Sequence, residues 1–222
     1  EGHFDLIQKQ LRPGDFVVIQ FGHNDQKHPH LQAYNGYPEN LRRFIAEIRA
    51  KKALPILATP IARNVWTEQN GKLTYNDLLH DHAQACIALG KELNVPVLDL
   101  HQAAMDEIIR LGRDASKIYY HQGDWTHTND YGAVRAAGYA ADELRSLGEA
   151  FPDYLPLIQT VSASELDSFC YEENGIRIKC GKKSGKTVMV HDSAENSAYC
   201  GGMNADGDVQ GKDCTDIASP LV

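Results

Sequence analysis

The sequence predicts an α/β fold, a parallel sheet with helices on both faces. Three observations carry this. Residues 16–21, 54–59 and 95–99 form short, mostly apolar runs without polar alternation, the pattern of strands buried on both faces. Each run is followed by a longer stretch whose apolar residues recur at spacings of three and four, as on one face of a helix. That β-α alternation requires parallel pairing with helical crossovers. Finally, 222 residues with 42% hydrophobic content are enough for one such domain and a small appendage.

The elements follow in order. Phe4, Ile7 and Leu11 sit at helical spacing, and Arg12-Pro13-Gly14-Asp15 reads as a turn. The first strand covers residues 16–21. The segment after it carries His28 and His30 beside Pro29, read as solvated loop histidines rather than metal ligands. A helix starts near Pro38, a residue suited to a first turn, with Leu41, Phe44, Ile45 and Ile48 as its buried stripe. The second strand, 54–59, runs into Pro60. Arg63 and Trp66 then fall on a strand-end loop, and Trp66 has two readings there, loop packing or stacking on a sugar. A helix is expected over 76–93. His80 and His82 on it are two apart, do not share a face, and read as surface residues. The third strand, 95–99, precedes a helix over 102–111. Val134, Ala137, Ala141 and Leu144 mark the last helical stripe. The break at Phe151-Pro152 places a boundary, giving a main domain at 1–150 and a Cys-containing tail at 151–222.

The formal net charge of −8 argues against nucleic acid or an anionic membrane as partner. No apolar run reaches the roughly 18 residues of a membrane span. Cys86 stands alone in a helical run and reads as a small buried hydrophobe. Cys170, Cys180, Cys200 and Cys214 all lie in the tail, which favours disulfides in an oxidising compartment. A four-cysteine zinc site is the rival, weakened by the absence of short Cys spacings.

Two stretches carry chemistry. Asp124-Trp125-Thr126-His127 sets a carboxylate three residues before an imidazole, ahead of a helical run. A histidine acting as general base needs such a neighbour to fix its tautomer and stabilise the imidazolium. Gly22-His23-Asn24-Asp25 follows the first strand and places an amide at the sheet's C-terminal edge, where open α/β sheets bind ligands. Such an amide can donate to a developing oxyanion.

Together these stretches resemble the SGNH hydrolases, a family of serine esterases and lipases. Gly22-His23-Asn24-Asp25 matches the family's Gly-x-Asn-Asp block, and Asp124 to His127 its Asp-x-x-His block. Phe21 through Lys27, Pro55 through Arg63, Val95 through Leu100 and Thr126 through Ala133 look like its rhamnogalacturonan acetylesterase branch. The resemblance covers about residues 1–148. It implies a doubly wound parallel sheet in a three-layer α/β/α sandwich, flavodoxin-like, and removal of acetyl groups from a pectin-like polysaccharide. It implies His127 as general base, Asp124 as its orienter, Asn24 and Gly22 at the oxyanion, and no cofactor for catalysis.

The family's Gly-Asp-Ser block, with the nucleophile and the central strand, has no match in these residues, and the chain opens with Glu1. The chain therefore reads as a piece whose serine lies upstream, with export by a leader that is likewise not visible. The rival function is a catalytically silent chain that binds carbohydrate or a scaffold. Residues 186–193, an apolar run ending in Asp192-Ser193, loosely echo the missing strand and raise a circular permutation with Ser193 as nucleophile. Near the end, residues 202–217 resemble a dockerin calcium loop. Asn204, Asp206, Asp208 and Asp213 offer oxygens at alternating positions, with Gly207 at the sharp turn. Dockerins bind cohesin scaffolds, so a cohesin is the expected protein partner and acetylated polysaccharide the expected substrate.

Overall fold

A computed structural model of the chain describes residues 3–162 and, as backbone, three later strands. The elements are α1 (His3–Gln10), β1 (Phe16–Gln20), α2 (Tyr37–Ala50), β2 (Leu54–Ala58), β3 (Trp66–Gln69), β4 (Lys72–Tyr75), α3 (His80–Leu93), β5 (Val97–Leu98), α4 (Leu100–Leu111), α5 (Asp130–Ser146), α6 (Leu155–Ser162), β6 (Cys170–Glu173), β7 (Arg177–Gly181) and β8 (Val188–Asp192). They fall in two compact units. One comprises Glu1–Ala62, Asp77–Met105 and Asp142–Ser162, the other Arg63–Asn76, Asp106–Ala141 and Ala163–Val222.

The first unit holds the expected parallel sheet, in the order β1-β2-β5. Phe16 lies opposite Leu54, and Leu57 opposite Val97. The stripe of α2, Tyr37, Leu41, Ile45 and Ile48, is buried with Ile19 and Leu57 of the sheet and with Cys86 and Leu89 of α3. Ile56 points to the opposite face and is fully buried too, so β2 is covered on both sides. Each such Leu or Ile contributes about 2 kcal/mol of burial. Cys86 is the small core residue expected, and burial pushes its thiol up to about 12. Gly90 lets α3 lie against β5: a Cβ there would stand 2.1 Å from Val97 Cγ2. The break after residue 150 leads into α6 of the same unit, and Tyr154 donates its hydroxyl to Pro55 O at 2.7 Å.

Four local expectations change. β1 pairs only with β2 among the described residues, and Val18 is 55% exposed rather than buried. β5 is two residues long because Asp99 starts α4, accepting the Gln102 N–H at 3.2 Å. α3 starts at His80, not at 76, because residues 66–75 are a β-hairpin. Its turn is Asn70-Gly71, both at positive φ, the pair favoured in two-residue hairpin loops. His82 is buried, not on the surface. It shares the α3 stripe with Cys86 and Leu89, its ring meets Tyr37 edge-on at 4.9 Å, and Nε2 lies 3.1 Å from Leu31 O. Spacings of four and seven from His82 were the readable signal.

In the second unit a buried carboxylate ties α4 to α5. Glu107 accepts two hydrogen bonds from Arg135, at 2.9 and 2.6 Å, and one each from Tyr139 at 2.6 Å and Tyr119 at 2.5 Å. Burial alone would raise the Glu107 carboxyl, but these donors outweigh it and hold it below its ordinary 4.5. A carboxyl lowered by folding adds stability above its unfolded pKa and loses it as pH falls through the folded one. Glu107→Ala is expected to cost on the order of 3 kcal/mol at neutral pH, by stranding Arg135 and two hydroxyls. The deficit should shrink as pH drops below about 4.5, which denaturation midpoints between pH 7 and 3 would measure.

The later strands form an antiparallel sheet, β6-β7-β8. The run considered for a permuted nucleophile strand is β8, paired with β7 from Gly181 opposite Val188 to Arg177 opposite Asp192. Ser193, Cys200, Cys214 and the calcium candidates Asn204, Asp206, Asp208 and Asp213 lie outside the described residues. No helix among the described residues is long and apolar enough to cross a membrane.

Candidate active site

The Asp-x-x-His spacing has a local explanation. Asp124 divides its carboxylate between two tasks. Oδ1 accepts the backbone N–H groups of Thr126, at 2.6 Å, and His127, at 3.1 Å, closing the turn on itself. Oδ2 accepts the Nδ1–H of His127 at 2.6 Å. Donation from Nδ1 leaves Nε2 of the neutral ring as the acceptor, the tautomer a general base requires. The ring is well exposed and Asp124 only partly so. Burial alone would raise the Asp124 carboxyl; the hydrogen bond with His127 and those from the two amides outweigh it and lower it. Burial lowers His121, against the nearby Asp124 charge. Burial also lowers the Arg63 guanidinium, with Asp124 opposing, which sets the expected loop arginine within electrostatic range of the pair.

The turn is braced from behind by residues to which the sequence reading gave no role. A bridge pairs Tyr120 with Thr128, and the His121 N–H donates to His127 O at 3.1 Å. Asn129 is buried. Its amide donates to Ile118 O at 2.8 Å and Tyr120 O at 3.0 Å, while its Oδ1 accepts the Gly132 N–H at 2.9 Å. A Cβ on Gly132 would stand 2.1 Å from Tyr119 O, so the first turn of α5 sits directly on the preceding segment. An asparagine three residues before a glycine at a helix start was the available signal.

In the first unit, Gly22 ends β1's loop with φ at 132°, and a Cβ would meet Pro60 Cβ and Cγ at 2.9 Å. Both facts confine the position to glycine. The Gly22 N–H donates to Asp25 Oδ2 at 2.9 Å. Asn24 is exposed at the head of a short 3-10 turn, Asp25–Lys27, and its Oδ1 accepts from Lys27 Nζ at 3.0 Å. A carboxamide engaged through its oxygen keeps its NH2 as a donor.

A cavity of about 760 Å³ lies within the second unit, next to the Asp124–His127 turn. Its walls include Trp66, Tyr120, Asp124, Trp125, Arg113 and Lys117. Trp125 is 56% exposed. Trp66 is fixed by its indole N–H on Asn64 Oδ1 at 2.6 Å and by an edge contact with Tyr75, so packing holds it in the cavity wall.

With this geometry in view, the comparisons with known proteins give the class. Residues 1–135 match the GDSL-like lipase/acylhydrolase family, and the chain belongs to that family. It is 32% identical over 168 residues to rhamnogalacturonan acetylesterase RhgT of Bacillus subtilis, covering 70% of this chain and 71% of that protein. It is 30% identical over 172 residues to the probable rhamnogalacturonan acetylesterase YesY of the same organism, covering 72% and 73%. The crystal structure of protein YxiM from B. subtilis resembles it with a TM-score of 0.56 at 29% identity, over 67% of this chain and 41% of that one.

Proposed function

We propose that the chain is an acetylesterase acting on a pectin-like polysaccharide. The observation that carries this is the Asp124 Oδ2 to His127 Nδ1 hydrogen bond of 2.6 Å, inside the family's Asp-x-x-His block and at the edge of an aromatic-walled cavity. Each role follows the family block in which the residue sits. His127 takes the proton of the attacking serine through Nε2 and returns it to the departing sugar hydroxyl. Asp124 holds the ring and stabilises its cation. Asn24 donates its amide to the tetrahedral oxyanion. The nucleophile is the serine of the family's Gly-Asp-Ser block, for which these 222 residues have no match. No cofactor enters these steps.

The cavity fits an acidic sugar chain. Trp125 presents a face on which a pyranose can stack, and Arg113 and Lys117, which pair with Asp114 of the same wall, can turn to uronate carboxylates when a ligand enters. The test is acetate release by the full gene product from acetylated rhamnogalacturonan and from neutral acetylated xylan. The first should be preferred. Equal rates, or none on either, would end the reading. Trp125→Ala is expected to raise KM for the polymer about fivefold to tenfold at unchanged kcat, while leaving a small aryl acetate unaffected.

The alternative is a catalytically silent chain that binds carbohydrate or a scaffold. It predicts polymer binding without acetate release. We also propose that the protein works outside the cell, where its polymer is, and that a calcium-loaded loop at Asn204, Asp206, Asp208 and Asp213 docks a cohesin. Calcium-dependent cohesin binding that survives neither Asp206→Ala nor chelation is the expected result.

A further inference from the structure

We propose that Asp77, His80 and His101 bind a divalent transition-metal ion of the zinc type. These residues all belong to the first unit, and their ligand atoms lie within 4.8 Å of one another. The inference is independent of the esterase reading.

His101 gives the first argument. It is buried, 2% exposed, in the first turn of α4. Its Nδ1 lies 3.1 Å from Pro60 O and its Nε2 lies 3.0 Å from Asp77 Oδ2. Both ring nitrogens therefore face acceptors, a demand met either by an imidazolium, which donates from both, or by a neutral ring whose Nε2 takes a metal ion. The proposal is the second. The remaining N–H then goes to the Pro60 carbonyl, the outer hydrogen bond usual for metal-bound histidines.

The second argument is spacing. Four ligands tetrahedrally placed about 2.05 Å from zinc stand about 3.3 Å from one another. Asp77 Oδ2 is 3.0 Å from His101 Nε2 and 3.4 Å from His80 Nδ1. One carboxylate oxygen thus already has two imidazole nitrogens at near-tetrahedral separations. The third separation closes by rotation of His80, whose side chain is 59% exposed at the start of α3.

The set is also held in place. The other oxygen of Asp77 accepts the Leu79 N–H at 3.2 Å. The His101 backbone N–H donates to Thr59 Oγ1 at 2.8 Å, and that hydroxyl donates to Asp99 Oδ1 at 3.1 Å. Pro60 follows β2 and His101 follows β5, so the cluster sits at the C-terminal edge of the sheet. Two imidazoles and one carboxylate suit zinc over calcium or magnesium and leave a fourth position for water.

The test uses the full chain after EDTA treatment, titrated with Zn²⁺ and separately with Co²⁺. His80→Ala changes an exposed side chain and leaves the core intact, and Asp77→Asn keeps shape while weakening the ligand. Expected is an ion lost at least about tenfold in affinity from each variant, with Tm raised by Zn²⁺ only in the parent. The matching Co²⁺ complex should show four-coordinate visible absorption without thiolate charge transfer, which separates it from cysteine ligation in the tail. A double His28→Ala, His30→Ala control should bind as the parent does. Absent binding, or binding unchanged in both His80→Ala and Asp77→Asn, would overturn the proposal; the latter result would assign the ion to other residues.

Discussion

His127→Ala is expected to lower kcat for acetate release by about 10⁴-fold or more, with KM for the polymer little changed. The reason is geometric. Asp124 accepts from Nδ1, which leaves Nε2 as the base in the proposed reaction. Asp124→Asn should cost about 10⁴-fold through the tautomer it imposes, since an amide facing Nδ1 can donate where the carboxylate only accepted. His121 is the near neighbour that could deputise, and burial disfavours its cation. Activity surviving His127→Ala within tenfold, in a folded protein, would move the base elsewhere.

Asn129→Ala should be the most damaging change outside the pair. It strands the Ile118 and Tyr120 carbonyls and the Gly132 N–H in a buried site, at about 1–3 kcal/mol for each group left unmet. A loss of about 4 kcal/mol is expected, read from the denaturant midpoint. Gly132→Ala should match it, because the new methyl would meet the Tyr119 carbonyl. Asn129→Asp keeps the acceptor for Gly132 but turns a carboxylate onto the Ile118 and Tyr120 carbonyls in a buried site, so it should cost at least as much as alanine. If Asn129→Ala were as stable as the parent, the turn would be held by something other than this side chain.

The sheet was legible because residues 16–20 and 54–58 are apolar without alternation, and the α2 stripe because Leu41, Ile45 and Ile48 recur at helical spacing. The Asp124–His127 pair was legible because its chemistry is local: four residues make a turn that bonds its own backbone. The hairpin was missed although Asn70-Gly71 announces it, because Trp66 and Arg63 drew the segment toward a loop. His82 was misplaced by treating it with His80 as a pair, when its partners along α3 were Cys86 and Leu89. The clusters around Glu107 and His101 could not be read, because Asp77 and His101, 24 residues apart, and Glu107 with Arg135 and Tyr139, 28 and 32 apart, meet only through tertiary packing.

The missing methyl at Gly90 reaches further than its own contact. His80 stands ten residues earlier on α3, about 15 Å along the axis. Any larger side chain at 90 would wedge the helix off Val97, and the helix would swing as a lever. A tilt of about 5° pivoting there carries its far end about 1.3 Å, several times the ~0.2 Å tolerance of a metal–ligand distance. A glycine facing the sheet thereby sets the aim of a histidine three turns away.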